Sequence, residues 1–342
     1  MVKVTHVLEN GGEQEIAVSG SKKYGLLDAK VRYELNKASY ASLVFPPENK
    51  FSGVLENKNP VIAIYDDKKQ MFVGTPAGDI KRDIFGRKTV ELDGALTWLK
   101  NISKPPFYLQ NALTVADYFG RLITQYDAGA ESNRQITLGG VTVSGNITVD
   151  HHGEYTLIGD LISEVVEKHG GYIRESFGYA DKRPRLDYIA QPIAEDAEPL
   201  AFGVDLEEFE QSVNFDDYAS RVYAVGKDGI TASAIDSGAE KMWGRVDYVM
   251  TSNAETVGQL QAEAQAVLDA KKVPLKTATA KSIFARKCSV GMVKRVVDYR
   301  RMIDMSMMAY AVELDLLHPE NSRAEFGIAP KKTYTNTRNL IK

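Results

Sequence analysis

The densest set of side chains able to do chemistry is Asp150-His151-His152-Gly153-Glu154, where two carboxylates flank two imidazoles. These are ligands for zinc, but a catalytic zinc site takes two ligands from one helical face, four residues apart, and a third from a distance. Adjacent histidines on a strand point to opposite faces, so the spacing does not suit such a site. The run reads as polar loop, and no residue is assigned to a metal. His6, His169 and His318 stand apart. His169 falls in the last turn of an expected helix, where an imidazole favours the negative end.

Nucleophilic and nucleotide chemistry lack their local signatures. There is no Gly-x-Ser-x-Gly elbow, no Gly-x-x-x-x-Gly-Lys loop and no Gly-x-Gly-x-x-Gly turn. The carboxylate pairs Glu207/Glu208 and Asp216/Asp217 read as a solvated acidic link, because glycoside hydrolysis needs acids on opposite sides of a cleft. Trp98, Trp243 and 17 tyrosines could stack on sugars; tyrosine at strand or helix spacing more often fills the core with its hydroxyl at the rim. Met302-Ile303-Asp304-Met305-Ser306-Met307-Met308 reads either as an adaptable contact surface or as a buried hairpin. No catalytic residue, cofactor site or cofactor is expected.

Side chains of this kind need two or three domains to hold them, since 342 residues exceed one ordinary core. The hydrophobic share of 44% and charged share of 26% are those of a folded chain. A net charge of -4 gives no long-range pull on phosphates, which argues against nucleic-acid binding. Cys288 is the single cysteine, so no internal disulfide forms. No apolar run approaches the roughly 20 residues of a membrane span, and Met1 to His6 lacks the pattern of a leader.

The expected class is α+β: two small β-barrel-like domains with an α+β domain between them. Residues 1–103 form the first, from apolar alternation at Val31 to Leu35, Tyr40 to Phe45, Val61 to Tyr65, Met71 to Gly74, Gly78 to Ile84 and Lys88 to Leu92, then a helical piece from Gly94 to Leu99. Lys104-Pro105-Pro106 marks a boundary. Residues 104–198 hold two amphipathic helices. Thr114 caps one, with Val115, Tyr118, Phe119, Leu122, Ile123 and Tyr126 on its inner face. Thr156 caps the other, Gly170-Gly171 ends it, and a hairpin pairs Tyr172 to Phe177 with Arg185 to Ile189. Residues 199–330 form the second β-domain, with strands at Phe209 to Asn214, Arg221 to Val225 and Arg245 to Met250, and a helix begun by Ser252 and ended by Pro274. Further strands span Lys276 to Phe284, Val293 to Asp298 and Met307 to Leu317, and residues 331–342 are a polar, basic, loose tail.

Val293 to Tyr299, Ala311 to Asn321, Leu161 to Ile189 and Arg221 to Gly226 together resemble the tail-hub family of long non-contractile-tailed phages and prophages. That family forms the amino-terminal platform of tail-associated lysins and is similar to the baseplate hub of contractile tails. The resemblance covers nearly the whole chain through diffuse patterns. It implies a structural tail-tip adaptor, not an enzyme, forming a homotrimeric ring that presents a pseudo-sixfold surface. The implied partners are the distal tail protein, the tape-measure protein and a tail fibre or receptor-binding protein; DNA passes through unbound, and no membrane is involved. The implied place is the virion tail tip, after assembly in the bacterial cytoplasm. Because the sequence stops at Lys342, the wall-degrading activity fused to many relatives is not carried over. The rival readings are a peptidoglycan hydrolase using Asp150 to Glu154 and a saccharide-binding receptor module.

Overall fold

Apolar alternation sets the first sheet. Tyr40–Phe45 buries Ala41, Leu43 and Phe45 and turns the residues between them outward, and it pairs antiparallel with Asp28–Glu34, which buries Ala29 and Val31. The computed structural model describes residues 1–327 except 57, 58, 79, 110, 149, 152, 153, 179, 195–198, 207 and 282. The expected tail at 331–342 therefore lies outside the described residues. Contacts divide the chain into two compact units, Met1–Phe209 with Thr279–Lys342, and Glu210–Ala278.

In the larger unit, neighbouring strands run in the order Glu13–Val18, Val2–Val7, Val61–Asp66, Lys69–Pro76, Lys88–Gly94, Tyr40–Phe45, Asp28–Glu34, Ile303–Asp315, Arg323–Gly327. The α+β class holds, but among the described residues no barrel closes. The expected separation of a first and a second barrel gives way to one sheet, because Ile303–Asp315 adds antiparallel to Asp28–Glu34, with Ala311 opposite Glu34 and Asp315 opposite Lys30. Nothing local encodes a pairing between residues so far apart. Among the strands that escape the sequence reading, Val2–Val7 and Glu13–Val18 meet across a register shift, and the latter buries adjacent Ile16 and Ala17, which breaks the alternation. The expected strand from Gly78 to Ile84 shrinks to Lys81–Arg82 before a tight turn.

The pairing is reinforced by charge. Arg32 donates through Nη1 to Glu325 Oε1 at 2.7 Å and lies 3.4 Å from Glu34 Oε2 and 3.9 Å from Glu313 Oε2, so one guanidinium spans three adjacent strands. Burial alone would lower its pKa; the hydrogen bond it donates to Glu325 and the surrounding carboxylates outweigh this and raise it.

Helix α1 (Val115–Gly129) starts as its sequence demands. The Thr114 hydroxyl accepts from Asp117 N at 3.1 Å, and the six expected residues are all buried. Helix α2 (Ile158–His169) begins one residue later than expected. Leu157 takes the cap position, because Thr156 is engaged in a short antiparallel pairing with Lys104. Gly170 and Gly171 leave it at φ 70° and 82°, and Tyr172–Ser176 pairs with Arg185–Ile189. Thr137–Val141 joins that hairpin in parallel. Both helices share one core with the first sheet: Val61, Val73 and Trp98 pack in the same cluster as Phe119, Leu122, Ile162 and Tyr188.

Two buried polar residues tie hairpin to sheet. Asn36, held at φ 61°, donates its N–H to Ile173 O and accepts from Ile173 N through Oδ1, both at 2.8 Å, imitating a strand partner. Glu175 accepts through Oε2 from Ser39 N at 3.0 Å and from the Ser39 hydroxyl, and through Oε1 from Leu96 N. Its burial pushes its pKa up to about 7 despite these donors.

Unit Glu210–Ala278 has its own small core of Val222, Ala224, Ala234, Ala254, Leu260, Ala264 and Leu268. Arg221–Val225 lies between antiparallel Thr231–Ile235 and parallel Asp247–Thr251. A short helix that the sequence reading passes over, α3 (Ser237–Trp243), is capped by Asp236 and left at Gly244, φ 94°. Helix α4 (Val257–Lys271) is capped by Thr256 and not by Ser252, whose hydroxyl instead accepts from Ala254 N at 3.0 Å.

Glu175 makes stability depend on pH. Its folded pKa lies above the ordinary 4.5, so its contribution is full below pH 4.5 and is lost as pH rises to about 7, by at most about 3 kcal/mol. Denaturant melts should show this loss in the wild type and not in Glu175→Gln, which cannot ionise. The comparison removes the opposing slope from His6, whose pKa burial lowers. Glu325→Ala, which strips Arg32 of its shortest ion pair, should cost about 1–3 kcal/mol in the same melts.

Candidate functional site

The residues marked by the sequence do not converge. Asp150 and His151 form a short strand opposite Tyr108 and Phe107, while His152 and Gly153 lie outside the described residues. Among the described residues no three His, Cys, Asp or Glu side chains are grouped to hold a metal. His318 donates its backbone N–H to Asp315 Oδ1 at 2.7 Å, and Cys288 is buried. Asp217 meets Lys271 at 3.1 Å, Asp216 accepts from Asn214 at 3.0 Å, and Glu207 is outside the described residues.

The aromatic residues mostly do structural work. Tyr126 donates to Arg134 O at 3.0 Å, Tyr188 to Gly170 O at 2.5 Å, and Tyr218 to both Ala239 O and Gly244 O. Trp98 Nε1 donates to Thr75 Oγ1 at 3.2 Å, and Phe119 stacks on Tyr188 with centroids 4.7 Å apart. A hydroxyl spent on a backbone carbonyl fixes a turn and leaves little for a sugar. The methionine run divides: Met307 and Met308 are buried, whereas Met302 is 92% exposed.

What the fold offers outward is two ordered turns. Between Lys81–Arg82 and Lys88–Gly94, Asp83 Oδ1 accepts from Phe85 N and Arg87 N, both at 2.9 Å, and Asp83 Oδ2 meets Arg87 Nε at 2.6 Å. Gly86, at φ 75°, closes the turn, leaving Ile84 93% and Phe85 69% exposed. The carboxylate orders the backbone so that two large apolar side chains face solvent. Sequence reading assigns Ile84 to a strand and misses this; Asp83 ahead of Gly86 is the signal that could have found it. The second turn joins Met292–Asp298 to Ile303–Asp315. Asp298 Oδ1 accepts from Arg300 N at 2.9 Å and Arg301 N at 3.2 Å, Arg295 Nε donates to Asp304 Oδ1 at 2.6 Å, and Tyr299 and Met302 stand exposed at the tip. Preordered turns bearing apolar and cationic side chains suit contacts with other proteins, since little entropy is lost on docking.

No family model matches the chain, and no curated protein matches it. Solved structures do. The 43 kDa tail protein of prophage MuSo2 from Shewanella oneidensis superposes with TM-score 0.65 at 11% identity, over 97% of this chain and 99% of that one. A tail protein from Neisseria meningitidis gives 0.60 at 14% identity, over 95% of each chain. A prophage tail protein from Listeria monocytogenes gives 0.58 at 11% identity, over 95% of this chain and 94% of that one. The fold is therefore that of phage and prophage tail proteins, in agreement with the tail-hub resemblance carried by the sequence.

Asp83→Ala should leave the melting temperature within about two degrees, because the turn lies outside the core. It should also speed chymotryptic cleavage after Phe85, read by mass spectrometry. Unchanged cleavage would mean that the carboxylate does not order the turn.

Proposed function

We propose that this chain is a structural hub or adaptor at the tail tip of a phage or prophage. It links the distal end of the tail tube to the fibre or receptor-binding apparatus. The observation that carries this reading is the end-to-end superposition on three tail proteins, which leaves almost no part of the chain for a separate activity. In the proposal three copies form a ring with a pseudo-sixfold surface, and DNA passes through its bore without specific binding. The ring meets the distal tail and tape-measure proteins on one side and the fibre on the other. The segments 1–103, 104–198 and 199–330 are the proposed contacting modules, with 331–342 as a tail. The protein does no chemistry in this role; its work is symmetry matching and attachment. Assembly takes place in the bacterial cytoplasm and the final position is the virion tail tip.

The physical features of the chain support such a part. Its net charge of -4 disfavours adhesion to DNA. A sheet that joins residues near both ends of the sequence resists pulling them apart, and the ordered turns at Asp83–Arg87 and Asp298–Met302 offer preformed contacts.

Labelled protein within intact particles, imaged by electron microscopy, should appear at the distal tail end with threefold symmetry. Label on the capsid or along the tube would overturn the assignment. So would reproducible clearing of bacterial walls by the purified protein in a zymogram, lost on changing His151.

A further inference from the structure

The small sheet of unit Glu210–Ala278 has two edges of different kinds. On the Thr231–Ile235 edge, Gln261 of α4 donates its amide to Ser233 O at 2.9 Å, and α4 packs over that strand and Arg221–Val225. The Asp247–Thr251 edge has no such cover. Among the described residues its backbone hydrogen-bonds to Arg221–Val225 alone, in a parallel register unbroken from Arg221 opposite Asp247 to Val225 opposite Thr251. The strand is exposed over most of its length, with Val249 at 68%. Tyr248 to Thr251 contains no charged residue, proline or bulge, devices that normally keep an edge from pairing. Five residues of regularly paired strand with alternate N–H and C=O groups facing outward form a template for one more strand.

We propose that this edge takes residues 331–342 of a second copy of the chain as an added strand. The in-trans placement rests on the ring proposed above. Composition selects this occupant. Residues 331–342 carry four basic side chains and no acidic one, whereas residues 210–278 carry ten acidic and seven basic. Acid lies beside the edge: Asp217, 93% exposed, pairs with Lys271, whose Nζ sits 4.6 Å from the centre of the Tyr248 ring. Within the segment, Thr333-Tyr334-Thr335-Asn336-Thr337 repeats a β-branched residue at every second position. This is the pattern that suits an extended strand laid on a pleated surface. A contact in which one copy lends a segment to the next is heterologous, and such contacts close into a ring where the rotation between copies returns to the first.

Two measurements on the full chain test this. Hydrogen exchange of the outward amides in Asp247–Thr251 should be slower in the full chain than in a variant lacking 331–342, by on the order of tenfold. Equal rates would overturn the proposal. In the second, both chains carry Cys288→Ser. One combines Val249→Cys with deletion of 331–342, and the other carries Thr335→Cys. Mild oxidation of the mixture should give a covalent heterodimer, and moving the second cysteine to an exposed site in the larger unit, Ile84→Cys, should abolish it. Lost exchange protection without a heterodimer would place the strand in the same chain and overturn the in-trans proposal. Failure of the ring itself shows separately, as tail tips imaged without threefold symmetry.

Discussion

The antiparallel pairing of Asp28–Glu34 with Ile303–Asp315 is the constraint on which the larger unit depends. It closes a loop of more than two hundred and fifty residues, so its ladder forms only after the chain between has been ordered or looped out, at an entropic cost that grows slowly with length. The cluster around Arg32 makes that pairing specific. A register slip of one residue would carry Arg32 and Glu34 to the other face together and leave Glu313 and Glu325, on the neighbouring strands, without Arg32. Hydrophobic alternation alone would tolerate several registers of two residues, whereas a guanidinium shared among Glu34, Glu313 and Glu325 tolerates one.

A second layer of specificity fastens the helix-and-hairpin region to this sheet. Asn36 and Glu175 are buried polar groups, each hydrogen-bonded to backbone or hydroxyl partners on the other element. Leaving such a group unpaired costs more than the pair gains, so the two act as penalties against misplacement more than as sources of stability. Gly94 belongs to the same arrangement, because a Cβ there would overlap both Ser39 and Glu175. Buried alternation supplies the attraction; these few polar atoms decide which arrangement it produces.

This division of labour explains what the sequence discloses. The hairpin Tyr172–Ser176 with Arg185–Ile189, both long amphipathic helices and the Gly170-Gly171 exit are legible because period and turn chemistry are local. The single sheet is not legible, since a strand such as Ile303–Asp315 carries the same alternation whether it closes a second barrel or joins the first sheet. Caps misread at Thr156 and Ser252 share a cause: each hydroxyl sits in a favourable sequence, but tertiary pairing of one and a local turn at the other draw it elsewhere. The surfaces fared worst. Ile84 looks like the end of a strand until Asp83 is seen to fold the backbone beneath it and Phe85.

The same physics accounts for a fold shared with tail proteins across little common sequence. Alternating buried positions accept many apolar substitutions if volume is kept, and backbone ladders ask nothing of the side chain beyond that. Partners, by contrast, read the exposed turns and open edges, where substitution costs little stability. A fold held this way can thus drift in sequence throughout its core while its exposed turns and edges change independently. Here the two exposed turns have ordered footings, with the Asp83 carboxylate under one and that of Asp298 under the other. That arrangement lets side chains at the tips vary without disturbing the strands that hold them.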